Sequence, residues 1–126
     1  MATACIAQVT FGFEPKGKPL VATFDQAHAS TDGGAILLKS LDTQLQLSKR
    51  LAGCLVDRRQ PGKGRHQTLT LVRQRVFGLA CGYADGDDAA RLADDALHQL
   101  LLDRDPRARP ALASQPTLSR FENAVE

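Results

Sequence analysis

Residues 68–83, TLTLVRQRVFGLACGY, constrain this chain most, because they alone combine a long helical apolar pattern with embedded arginines. Leu69, Val72, Val76, Leu79, Ala80 and Tyr83 recur at mostly three- and four-residue steps, so on a helix they form one stripe that must be buried. Arg73 and Arg75 flank that stripe. Gly82 weakens helical continuation, and Asp85, Gly86, Asp87 and Asp88 supply turn and capping types. The helix is therefore expected to stop near Tyr83 and a second to follow it as a hairpin.

Size and composition permit a core around such a helix. A chain of 126 residues has room for one domain or for a piece of a larger one, and a chain of this size can bury roughly two thirds of its unfolded surface. Hydrophobic residues at 43% and charged residues at 24% exclude wholesale disorder. The three cysteines, Cys5, Cys54 and Cys81, are odd in number and form no CxxC pair. That pattern predicts reduced thiols and a cytoplasmic protein. The amino terminus has no basic residue ahead of its apolar stretch, and no apolar run approaches membrane-spanning length, so neither a secretory signal nor a membrane partner is expected.

The net charge of +2 hides a strong division along the chain. Residues 49–75 hold eight Lys and Arg against the single acid Asp57, a balance of +7. Residues 85–105 hold seven aspartates against Arg91 and Arg104, a balance of −5. The first segment suits an anionic partner, nucleic acid being the commonest. Internal pairing between neighbouring helices is the other reading.

Around the central helix, residues 5–13 and the strand-like LVATFDQ that begins at Leu20 flank a Pro-Lys-Gly-Lys-Pro turn and predict an amino-terminal β-hairpin. Ser30, Thr31 and Asp32 are capping types ahead of Ile36, Leu37, Leu38, Leu41 and Leu45, which predicts a helix over residues 33–46. Gly33 and Gly34 in its first turn are expected to allow close backbone packing; a phosphate cradle is disfavoured because no P-loop lysine follows. Residues 48–55 predict a short helix with Leu47, Leu51 and Leu55 on one side. After the Asp-rich turn, Ala89, Leu92, Ala93, Ala96, Leu97, Leu100 and Leu101 predict one amphipathic helix, with Arg91, Asp94, Asp95, His98 and Gln99 outward. Pro116 opens a last helix, with Leu118, Phe121 and Val125 on one face, expected to run to the final residue. The fold class is mainly α, bundle-like, with residues 1–29 as hairpin and lead-in and residues 30–126 helical.

Between the short helix and the central one lies a basic loop punctuated by Pro61, Gly62 and Gly64. Arg58, Arg59, Lys63 and Arg65 lie where side chains and the open amides of the following helix can meet phosphates. With Arg73 and Arg75 they are the candidate DNA-binding residues. Asp85, Asp87, Asp88, Asp94 and Asp95 lack the EF-hand register and read as turn and cap residues. His28, His66 and His98 are scattered without a cysteine at zinc-ligand spacing, and Cys81 reads as a small core residue. No catalytic or metal-binding residue, and no cofactor, is expected.

Three segments carry a resemblance. STDGGAILLK from Ser30, LVRQRVFGLACGYAD from Leu71 and LASQPTLSRFEN from Leu112 resemble, in order and spacing, the amino-terminal region of bacterial insertion-sequence transposases of the DDE type, group 1. The similarity runs from about Phe24 to the last residue, and SQPTLSRFEN is its most specific part. The resemblance implies a larger α/β RNase H-like transposase that binds the terminal inverted repeats of its element and joins DNA with divalent metal such as Mg. It also implies that the catalytic acids lie beyond residue 126, so this chain is expected to be an amino-terminal fragment that binds DNA without catalysing transposition. The rival reading is an assembly module that packs on the catalytic domain or self-associates as a homo-oligomer, with no direct DNA contact.

Overall fold

The computed structural model describes residues 9–11, 18–23, 30–59, 66–108 and 111–125. Among them the chain is mainly helical, with one antiparallel strand pair. Strand β1 (Val9–Phe11) pairs with β2 (Leu20–Ala22), Thr10 opposite Val21, which is the expected hairpin. Its turn lies outside the described residues.

Helix α1 (Ala35–Leu45) begins after a turn over residues 31–34. Gly33 and Gly34 thus precede the helix, and a β-carbon built on either meets nothing within 4 Å. The close packing expected of them is absent. Gln46, at φ 56°, turns the chain directly into α2 (Leu47–Cys54).

The central helix α3 (Thr68–Ala80) ends three residues before Tyr83 for a specific reason. Gly82 takes φ 93°, its N–H bonds the Leu79 carbonyl at 3.0 Å, and the Tyr83 N–H bonds the Gly78 carbonyl at 2.9 Å. This pair of bonds is the Schellman closure, which needs a left-handed residue where Gly82 stands.

The buried face of α3 is Leu71, Val72, Gln74, Phe77 and Gly78. The stripe drawn from the sequence is therefore rotated: Val72 belongs to it, but Leu79 is half exposed and Ala80 is exposed. Helical spacing identifies residues that share a face, whereas neighbours decide which face is covered. One apolar cluster joins α3, through Phe77, to Ile36, Leu101 and Leu112. The other joins it, through Leu71 and Val72, to Ala113, Leu118 and Phe121.

The predicted single helix after the Asp-rich turn is two. A 3-10 turn (Gly86–Asp88) leads into α4 (Ala89–Leu92), and α5 (Ala96–Leu101) starts afresh with Asp95 as its cap, one carboxylate oxygen accepting the His98 N–H at 3.0 Å. The break changes the register, so His98 and Gln99, expected outward, are buried at 1% and 3% exposure. Another 3-10 turn (Pro106–Ala108) precedes α6 (Gln115–Ala124). The last helix does not run to the final residue: Val125 is extended and forms a single antiparallel bridge with Asp57.

Candidate functional site

The basic segment is anchored at the foot of its loop. Asp57 receives Arg59 Nε at 2.8 and 3.0 Å on its two oxygens, the Arg59 N–H at 3.1 Å and the Thr68 hydroxyl at 2.6 Å. Thr68 opens α3, so one carboxylate ties the loop's start to the helix beyond it. The Arg59 guanidinium also reaches the His66 carbonyl at 3.3 Å and lies over the Phe121 ring, 5.3 Å from its centroid. Hydrogen bonds from Arg59 hold the Asp57 carboxyl well below the usual range, and the same bonds raise the Arg59 guanidinium pKa. Arg58 is exposed at this foot. Lys63 and Arg65 lie outside the described residues.

Arg73 and Arg75 are turned to internal acids. Arg73 Nη1 donates to Asp103 Oδ2 at 2.6 Å, and its Nε donates to the Ser48 hydroxyl at 3.0 Å. Ser48 in turn donates its N–H and hydroxyl to the two oxygens of Asp42, at 2.7 and 2.6 Å. Lys39, only 3% exposed, reaches the same Asp103 oxygen at 3.0 Å. Burial pulls the Lys39 ammonium pKa down, and the Asp103 carboxylate opposes that pull. Arg75 pairs with Glu122 and donates to the Ala84 carbonyl at 2.7 Å. Arg59, Arg73 and Arg75 thus each have protein partners, and part of the +7 and −5 division closes within the molecule.

The three motif segments meet in space. Gln74 uses its side-chain amide as a backbone would, donating to the Ala113 carbonyl at 2.8 Å and accepting the Ala113 N–H at 3.0 Å. With Arg75 and Glu122 it joins the second segment to the third. Asp32, from the first segment, accepts or shares a proton with His98 Nε2 at 2.9 Å. The Tyr83 ring meets the His98 ring edge to face at 5.8 Å. Burial alone would raise the Asp32 carboxyl, but hydrogen bonds from His98 and Tyr83 hold it below its ordinary value. The hydrogen bond to Asp32 raises the Tyr83 phenol. Burial, together with the Asp32 and Asp95 charges, pushes the Cys81 thiol up, so Cys81 is no activated nucleophile. Sequence reading left out both Gln74 and the Asp32–His98 pair, and no local pattern signals contacts between such distant positions.

The aspartates of the acidic segment have structural roles. Asp85 sits at the start of the 3-10 turn, Asp88 is 3.6 Å from Arg91 and Asp95 caps α5. A pair of divalent ions for DNA joining needs several carboxylates around one point. Among the described residues the grouping of three metal-capable side chains is Asp32, Cys81 and His98, a donor set with one carboxylate, which does not fit that pair. No helix among the described residues is long and apolar enough to cross a membrane.

No curated protein and no solved structure matches the chain. The sequence profile described as transposase DDE domain, group 1, matches residues 14–126. That span includes all three segments, which lie at the start of α1, on α3 and its end, and on α6. The chain belongs to the group 1 family of DDE-domain transposases.

Proposed function

We propose that the chain serves DNA transposition as a helical assembly module that associates with a second copy of itself through the outer face of α1. The supporting observation is that α1, which buries Ala35 and Ile36, leaves a leucine face uncovered. Its charged residues, Lys39 and Asp42, are buried, while Leu37, Leu41 and Leu45 are 63%, 50% and 53% exposed and Leu38 lies beside them. Four leucines on one helix exceed the scattered apolar exposure normal for a surface. Because both charges of α1 point inward, two copies meet there without like-charge repulsion, and closed homodimers are the commonest assemblies of identical chains. Sedimentation over increasing concentration is expected to show a reversible dimer that survives added DNA. The double substitution Leu37→Lys and Leu41→Lys is expected to abolish it with unfolding little changed. A strict monomer at every concentration refutes the reading.

A second reading, favoured by the exposure of Arg58 at the anchored foot of the basic loop, is direct DNA contact. In it Arg58, Lys63 and Arg65 touch phosphates, while Arg59, Arg73 and Arg75 hold the surface that presents them. Phosphate contacts make affinity fall with salt, with a slope of about 0.9 per neutralised phosphate on a double-logarithmic plot. Titration of a labelled duplex at low and moderate salt is expected to show this dependence and its reduction on replacing Arg58, Lys63 and Arg65 by Ala. No binding at low salt, or a slope unchanged in that variant, excludes it.

A further inference from the structure

We propose that Asp32, Cys81 and His98 form a zinc-binding site, with solvent at the fourth position, that staples the start of α1, the end of α3 and α5 together. This goes beyond the role in transposition and does not depend on it. One atom from each residue, a carboxylate oxygen, the thiol sulfur and an imidazole nitrogen, lies within 4.8 Å of the others. A carboxylate, a thiolate and an imidazole are the three ligand types zinc takes, whereas magnesium and calcium seek oxygen.

The backbone places these groups independently of any ion. The Schellman closure at Gly82 fixes Cys81 and Tyr83, the Asp95 cap fixes the first turn of α5 that carries His98, and the turn over residues 31–34 holds Asp32. His98 is buried, while Asp32 and Cys81 are half buried. Asp32 Oδ2 and His98 Nε2 now stand 2.9 Å apart. Tetrahedral zinc would hold them about 3.3 Å apart, given bonds of about 2.0–2.1 Å, so the pair opens by only a few tenths of an ångström. Tyr83, whose ring meets the His98 ring edge to face at 5.8 Å, then helps to hold the orientation of that ligand.

The test uses the full chain, stripped with a chelator and titrated with zinc alone. One equivalent is expected to bind, with a rise in the thermal midpoint that grows with zinc concentration. Cobalt in place of zinc is expected to show thiolate-to-metal absorption in the near ultraviolet that Cys81→Ser removes. Asp32→Asn is expected to weaken zinc binding by more than about tenfold. A variant with both Cys5→Ser and Cys54→Ser is expected to bind as the wild type does, since Cys54, exposed on α2, is not one of the grouped ligands. Absence of stoichiometric zinc binding by the unmodified chain overturns the proposal, as does binding that disappears in the Cys5 and Cys54 variant.

Discussion

Arg73, in the middle of α3, places its guanidinium 2.6 Å from the carboxylate of Asp103, the residue that follows α5 by two positions and itself takes φ 58°. Asp takes that left-handed region more readily than most non-glycine residues, and two cations, Arg73 and Lys39, converge on its carboxylate. The ion pair is thus part of how α3 and α5 are held.

Arg73→Ala is accordingly expected to destabilise the fold by about 2–4 kcal/mol, since it strips Asp103 and the buried Ser48–Asp42 pair of a shared donor. Lys49→Ala, at an exposed position of α2, is expected to stay within about 0.5 kcal/mol. Urea denaturation of both variants checks the contrast; equal effects would show that Arg73 is not held as described.

The register of α3 is open to the same measurement. Leu71→Ala removes a fully buried side chain and is expected to cost about 2–5 kcal/mol. Leu79→Ala, at a half-exposed position, is expected to cost under about 1 kcal/mol. The opposite ranking would restore the stripe drawn from periodicity alone.

Gly82→Ala tests the helix end. No atom lies within 4 Å of the added β-carbon, so the loss arises from φ 93° alone and is expected to be about 1–2 kcal/mol. Gly82→Asn, which tolerates that conformation better, is expected to recover part of it.

Acid stability should report on Asp57. Its folded pKa is depressed by the Arg59 hydrogen bonds, so it contributes stability fully above the ordinary value near 3.8 and loses it as pH falls from there toward the folded value. Asp57→Asn is expected to be less stable than wild type at neutral pH, with the gap narrowing as pH drops below about 4. A gap that stays constant with pH would show that the carboxylate's charge is not what matters.

Much of the local structure is legible in the residues themselves. The hairpin and the starts of α2 and α3 follow from turn residues, strand-forming residues and helical spacing. The family is legible too, because SQPTLSRFEN and the two earlier segments are specific strings. Part of the candidate site was legible as charge: the basic run around Arg58 stands out, but nothing in the run distinguishes Arg59, which clamps Asp57, from the residues beside it.

By itself, the sequence located the hairpin, α1, α2, α3 and the start of α6, because those depend on backbone preferences and on spacing within a few positions, but it did not show the break that separates α4 from α5. Only the tertiary structure decided which face is buried and where each charge goes. The break at Asp95 turned His98 inward to Asp32, and the packing of α3 on α5 and α6 sent Arg73 to Asp103 and Gln74 to Ala113. Such partners lie tens of positions apart, and their pairing is set by which surfaces meet once apolar area is removed from water, a property that no local pattern carries.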